Sequence, residues 1–245
     1  VSAVNEGMPP IAILAGGLAK RLRPITSSIP KSMVQVADAP FIQHQLRLLV
    51  REGFSDIVIC TGHLGDQIES FVGDGAHLGC SVRYSRDGTL PLGTGGALLR
   101  ATHLLGRRFM VIYGDSYLDT SYAEPWKAFR QTDLPALMTV HRNEGRWDES
   151  NVEFSAGVIK RYDKVLKTSA MQYIDYGLGV FSQEALLTCA LGESFDLAQL
   201  YGSLAQRGLL AGFEIQERFY EIGSSAGLVE TDRYLRASSS IAPRR

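Results

Sequence analysis

No apolar stretch in this 245-residue chain approaches the ~18 consecutive residues that a membrane-spanning helix needs. The opening segment, Val1 to Pro10, is polar and carries Glu6, so no secretory leader is expected there. Cysteine is scarce. Cys60, Cys80 and Cys189 are odd in number and far apart, which excludes a disulfide framework and a Cys-x-x-Cys metal pair. An excess of one charge is missing too: 25 Lys and Arg stand against 26 Asp and Glu, and a nucleic-acid binder would show a positive surplus. The five histidines show no paired ligand spacing, and neither His-Glu-x-x-His nor Gly-x-Ser-x-Gly occurs, so zinc proteolysis and serine hydrolysis have no support. Walker A loops, internal repeats and low-complexity linkers are absent as well. The expectation is a cytoplasmic protein with no membrane and no nucleic-acid partner.

What is present alternates. The apolar run Ile11 to Leu14 reads as a buried strand. A helix is expected from Pro40, with Phe41, Ile42, Leu46, Leu49 and Val50 on one face and Gly53 as its stop. A strand at 57–60, a helix through Ile68 and Phe71 ended by Gly73, a strand at 82–84, a helix at 97–105 opened by Gly95-Gly96, and a strand at 109–113 follow. Short links between alternating elements predict a parallel sheet flanked by helices, with ligands at the carboxyl ends of the strands. After about residue 134 the pattern becomes α+β. Strands are expected at 137–141, 152–154, 158–162, 173–181 and 213–217, with Ala156-Gly157 as a hairpin turn. Helices are expected at 183–191, 196–207 and 226–236, with a frayed tail at 237–245. One domain is expected, made of a half at about 11–134 and a half at about 135–236. Residues near Trp126 and Phe129 read as a surface patch suited to a homodimer.

Three groups carry chemistry. Leu14-Ala15-Gly16-Gly17 leads from the first strand toward Arg21 and Lys31. Glycine lets backbone approach a ligand closely, and free N–H groups with two cations make an anion cradle; a tight turn with solvated cations is the alternative. Gly93-Thr94-Gly95-Gly96 reads as a flexible helix start, because Leu98 breaks the dinucleotide-binding fingerprint and no strand immediately precedes it. Gly114-Asp115 ends a fully apolar strand. A carboxylate there has to be solvated, paired or metal-bound, and magnesium favours one or two carboxylates plus substrate phosphates. Asp119 is expected to face away from that site. Glu221, between apolar neighbours before Gly223, gains weight only as a second metal ligand.

Taken in order, Leu-Ala-Gly-Gly-x-x-x-Arg-Leu, Pro-Lys, Gly-Thr-Gly-Gly-Ala and Gly-Asp resemble the sugar-1-phosphate nucleotidyltransferase (NDP-sugar pyrophosphorylase) family. The resemblance runs from about residue 11 to 236. Its short form is similar to heptose-1-phosphate and mannose-1-phosphate guanylyltransferases and to N-acetylmuramate-1-phosphate uridylyltransferases. The resemblance implies an α/β, Rossmann-like three-layer sandwich with a mostly parallel mixed central sheet. It implies Mg2+, an NTP and a sugar-1-phosphate, with GTP and a mannose- or manno-heptose-type acceptor first and UTP, dTTP or CTP with another hexose as alternatives. A non-catalytic binding paralogue is the rival of another class. Arg21, Lys31 and Asp115 match the catalytic positions. Leu14, Ala15, Gly16, Gly17, Gly93 and Thr94 match nucleotide-binding positions, and Asp115 and Glu221 the metal carboxylates. Asp163, Lys164, Asp175 and Gly177 match the segments that hold the sugar and its phosphate. Ala19, Leu90 and Ser150-Asn151 depart from the family pattern. Leu90 replaces a Glu that precedes Pro-Leu-Gly, which implies that a base contact is lost or moved to Asp87.

Overall fold

The computed structural model describes residues 7–17, 22, 25–147, 149–187 and 194–239. In chain order the first half comprises β1 (Ile11–Leu14), β2 (Gln35–Val36), β3 (Ala39–Pro40), α1 (Phe41–Arg51), β4 (Asp56–Thr61), α2 (Gly65–Val72), β5 (Ser81–Arg86), α3 (Gly93–Leu105), β6 (Arg108–Tyr113), β7 (Ser116–Tyr117) and α4 (Ala123–Arg130). The second half comprises β8 (Ala136–Arg142), β9 (Val152–Ser155), β10 (Val158–Tyr162), β11 (Tyr173–Ser182), α5 (Gln183–Leu187), α6 (Leu197–Gln206), β12 (Leu210–Glu214), β13 (Tyr220–Glu221) and α7 (Ser225–Ser239).

Nine strands form the central sheet in the order β5-β4-β1-β6-β11-β8-β12-β10-β9. β5, β4, β1 and β6 run parallel, and β12 runs parallel to β8. The pairings of β11 with β6 and β8, and of β10 with β12 and β9, are antiparallel. The parallel character is therefore concentrated in the first half, and the second half is mixed. Part of the reason is local: Ala156 and Gly157 both have positive φ, the hairpin geometry that folds a strand straight back on its neighbour.

β1 is buried along its whole length. Ala12 and Leu14 face a core shared with α3, α5 and α6, while Ile11 and Ile13 face a core shared with α1, α2 and α4. Helices on both faces make the third layer, and they explain why β1, β4 and β6 read as continuous apolar runs rather than alternating ones.

Several expectations shift. Trp126 and Phe129 lie on α4, a helix not anticipated, and both are buried in the core beside Tyr122 rather than exposed on a dimer surface. The strand expected at 213–217 is β12, Leu210–Glu214: Gly208 turns the chain with positive φ, and the buried Leu210 and Ala211 pair with Ala136 and Leu137. α3 begins at Gly93, before the Gly95-Gly96 pair. Residues 188–191 of the helix expected at 183–191 lie outside the described residues, as does Cys189.

Candidate functional site

β1 and β6 run in register from Ile11↔Met110 to Leu14↔Tyr113, so their carboxyl ends open side by side. Gly114 N–H donates to the Leu14 carbonyl at 2.9 Å, and Ala15 N–H donates to the Cys60 carbonyl of β4. This crowding demands glycine at 114: a Cβ there would lie 2.9 Å from the Leu14 oxygen and 3.0 Å from Ala15 Cα. Gly16 is similarly enclosed, 3.3 Å from Gly62 N and from an Asp87 oxygen by the same measure. A side chain on Gly17 would meet nothing within 4 Å. Neither Gly16 nor Gly17 has positive φ, so close approach, not turn geometry, accounts for the first of the pair. The open space beside the second belongs to a cavity of about 250 Å³ lined by Leu14 to Gly17, Lys31, Ser32, Asp87, Gly93, Thr94, Tyr113 and Asp115.

Lys31 opens a short 3-10 turn, Lys31–Met33, after the extended Pro30. Its ammonium pairs with the Asp115 carboxylate. Glu221 reaches the same place through the two-residue ladder β7–β13, in which it stands opposite Ser116. Ile222 N–H donates to the Asp115 carbonyl at 2.9 Å, fixing the two segments together. A Cβ on Gly223 would lie 3.2 Å from Lys31 Nζ and 3.2–3.3 Å from both Glu221 carboxylate oxygens. Lys31, Asp115 and Glu221 therefore converge. Asp119 takes no part in this group: its carboxylate accepts from Arg51 and from the Tyr234 hydroxyl, on the side of α1 and α7. Arg21 and Ala19 lie outside the described residues.

Gly93 and Thr94 border the cavity, but the glycine motif has a packing function of its own. The N–H groups of Gly95 and Gly96 both donate to the Phe195 carbonyl, at 3.0 and 3.2 Å. A Cβ on Gly95 would stand 2.1 Å from the Phe195 ring. Thr94 Oγ1 accepts from Leu197 N–H at 2.8 Å, in the first turn of α6. The N-terminus of α3 is thus tied to the start of α6, and two of its N–H groups are taken within the protein.

The four residues expected on the sugar side form a neighbouring strip and do not line that cavity. Gly177, with φ +97° in the irregular middle of β11, abuts Tyr113 and Ser116. Asp175 accepts from Gly177 N–H at 3.0 Å and from the Tyr162 hydroxyl at 3.2 Å. Desolvation raises its pKa against the opposing charge of Lys164. Lys164 Nζ lies 3.8 Å from an Asp196 oxygen. Asp163 accepts from the N–H groups of Leu166 and Val165, both at 2.9 Å, and these bonds hold its pKa below the usual carboxylate range. Its carboxylate anchors the turn after β10.

Ser32 and Tyr113 line the cavity although no sequence motif marks them, whereas Gly62 stands at a strand mouth of the kind expected to collect ligands. Among the described residues, Ser32 Oγ and the Tyr113 hydroxyl are buried without a hydrogen-bond partner. Adjacency to Lys31 and to Gly114 was the only available signal for the first two. Three of the five histidines serve structure: rings of His44, His103 and His141 donate to the carbonyls of Val36, Arg100 and Ile215. Among the described residues no group of three or more His, Cys, Asp or Glu is placed to hold a metal, and no helix is long and apolar enough to cross a membrane.

The nucleotidyl transferase family matches this chain over residues 11–168. A mannose-1-phosphate guanylyltransferase catalytic subunit beta from Xenopus tropicalis is 27% identical over 217 residues, covering 86% of this chain and 60% of the relative. The chain therefore spans about three fifths of the length of that relative. A D-glycero-alpha-D-manno-heptose 1-phosphate guanylyltransferase from Campylobacter jejuni is 26% identical over 215 residues, covering 86% of this chain and 93% of the relative. The crystal structure of HddC from Yersinia pseudotuberculosis complexed with GMP-PN superposes with a TM-score of 0.77 at 21% identity, covering 93% of this chain and all of that one.

Proposed function

The chain belongs to the nucleotidyl transferase family, and from that premise we propose that it transfers a nucleoside monophosphate from an NTP to a sugar-1-phosphate, releasing pyrophosphate. GTP with a mannose- or manno-heptose-type 1-phosphate is the pair we favour, by likeness to the two guanylyltransferases. The observation that carries the reading is the convergence of Lys31, Asp115 and Glu221 beside the Gly16-Gly17 cavity. We assign the nucleotide to a half at about 11–134 and the sugar phosphate to a half at about 135–236.

A phosphate monoester is largely dianionic at pH 7, its second pKa being near ~6. An oxygen of the sugar phosphate attacks the α-phosphorus, the bond to the β-phosphate oxygen breaks, and pyrophosphate leaves with that electron pair. No protein base is needed. The obstacle is bringing two polyanions together, so fixed positive charge dominates the catalytic work. Lys31 and Arg21 are assigned to the triphosphate, and the backbone of Leu14 to Gly17 to the nucleotide. Thr94 and Gly93 border the same space. Asp163, Lys164, Asp175 and Gly177 are assigned to the sugar phosphate, with Lys164 supplying the cation.

Asp115 and Glu221 suit magnesium, because two carboxylates already gathered around an ammonium can hold a hard cation whose remaining ligands come from substrate phosphates. When bound, magnesium would offset charge on the reacting phosphates. Cys60 and Cys80 are buried free thiols, which suits a reducing compartment such as the cytoplasm.

Pyrophosphate release, measured across five NTPs and a panel of hexose, heptose and amino-sugar 1-phosphates with Mg2+, tests the reading. Release with one pair well above the others supports it. Nucleotide binding without release from any pair would make the chain a binding paralogue.

A further inference from the structure

Glu221 stands on a ladder of only two residue pairs, too short to hold a side chain in place by itself. Contacts from outside the ladder brace it. Tyr220 turns to the opposite side from Glu221, as neighbours in a strand do, and its ring stacks on Tyr234 of α7 with centroids 4.0 Å apart and planes at 19°. The Tyr234 hydroxyl donates to Asp119. Thr231, also on α7, donates its hydroxyl to the Glu221 carbonyl at 3.0 Å. The remaining brace is Arg218. Its guanidinium lies over the Tyr220 ring at 4.9 Å and over the Trp147 ring at 4.0 Å. Both distances are inside the ~6 Å reach of a cation–π contact.

Arg218 Nη2 pairs with Glu230 of α7 at 2.6 Å. Its Nε, by contrast, is buried with no hydrogen-bond partner among the described residues. Leaving that donor unmade is a cost, and the two rings offset it. Trp147 is 40% exposed and stands in the link between β8 and β9. That link is stitched to the sugar side. Trp147 N–H donates to Asn143 Oδ1, and Asn143 Nδ2 donates to Ser150 Oγ, both at 3.1 Å. Asn151 Oδ1 accepts from Asp175 N–H at 3.1 Å, and the Asn151 carbonyl accepts from Asp163 N–H at 3.0 Å. One guanidinium therefore joins the strand that carries Glu221 to the loop that positions Asp163 and Asp175.

We propose that Arg218 is a positioning residue: gripped by Trp147 and Tyr220, it fixes Glu221 beside Lys31 and Asp115 and ties that placement to the acceptor-side loop. This rests on the nucleotidyltransferase reading, in which Asp115 and Glu221 hold magnesium. Magnesium demands near-ideal octahedral geometry, so a carboxylate serves it only when its oxygens are held in place. The clamp meets that demand from the side of the strand that Glu221 does not use. Without the clamp the short ladder opens more readily. The nucleotide then keeps its contacts with the backbone of Leu14 to Gly17 and loses part of what the metal contributes.

The test is isothermal titration of the tightest-bound NTP into the full chain, without a sugar acceptor, in saturating Mg2+ and again in EDTA. The ratio of the two affinities measures the coupling between metal and nucleotide. Arg218→Gln should shrink that ratio about tenfold, the scale for residues that orient metal ligands, and leave the EDTA affinity within about twofold. Trp147→Ala should do the same, and Trp147→Phe should restore the ratio. The double variant should lose no more than Arg218→Gln alone. Glu230→Gln removes the ion pair and keeps the stack, so its ratio should match wild type. A merely structural role would lower the thermal midpoint and leave the ratio unmoved. Glu221→Gln sets the scale. If it shrinks the ratio while folded Arg218→Gln or Trp147→Ala does not, the positioning assignment is overturned and the metal reading stands. If Glu221→Gln leaves the ratio unchanged, the metal reading falls and the assignment falls with it. Should Arg218→Gln fail to fold, Trp147→Ala, altered at an exposed ring, decides alone.

Discussion

The Lys31 ammonium and the Asp115 carboxylate pair across 84 residues of chain, one from the turn after Pro30 and the other from the end of β6. Their side chains are 20% and 29% exposed, so the pair adds little to stability, about 0–1 kcal/mol. Its value lies in holding a positive and a negative charge at the mouth of the cavity.

Lys31→Ala and Asp115→Asn should therefore each lose about a hundredfold in turnover, on the order of 3 kcal/mol of transition-state stabilisation. Thermal midpoints should stay within a few degrees of wild type. Near wild-type rates at saturating NTP and Mg2+ in either variant would remove these residues from the catalytic machinery.

Gly17 and Gly114 should separate binding from folding. Gly114→Ala forces a methyl against the Leu14 carbonyl and should cost about 1–3 kcal/mol in urea unfolding. Gly17→Ala brings its methyl within 4 Å of nothing among the described residues and should leave stability within about 0.5 kcal/mol. The same methyl intrudes on ligand space, so NTP affinity should fall in titrations where the unfolding midpoint does not.

Phe129 stacks beside Trp126 in the core, with ring centroids 6.0 Å apart. Phe129→Ala should cost about 3–5 kcal/mol by cavity formation. Sedimentation should give the same oligomeric state before and after the change. A shift in assembly with unaltered stability would restore the surface reading of this helix.

Asp175 gives a pH signature. Its folded pKa is raised by desolvation, so the stability linked to its protonation is fully present below the unfolded value near ~3.9 and is lost as pH rises through the folded value. Asp175→Asn avoids burying the charge. The variant should gain stability relative to wild type at pH 7.5, and the gap should close as pH falls toward 4. Urea midpoints at several pH values check this; a gap independent of pH would show that lost hydrogen bonds to Gly177 and Tyr162, not charge burial, set the balance.

Legibility in the sequence followed the range of the forces involved. β1, β4 and β6 were readable because burial on both faces leaves an unbroken apolar run. α4 was not: it has eight residues, with charged and apolar positions interleaved around Pro125, so only packing under β8 and β11 reveals its buried face. Lys31 and Asp115 stand in the local motifs Pro30-Lys31 and Gly114-Asp115. Glu221 depends on a ladder of two residue pairs, too short to leave a propensity signal. For Asp163, no spacing rule indicates that its carboxylate is engaged by the N–H groups of Val165 and Leu166. The Gly93 motif looked like a loose helix start, and its closeness to Phe195, a hundred residues away, is a property of the folded chain alone.

The β7–β13 ladder also stands apart from the nine-stranded sheet. Its two residue pairs can open without unpairing any strand of the central scaffold. The gathering of Lys31, Asp115 and Glu221 can thus be lost and regained while the walls of the cavity stay in place.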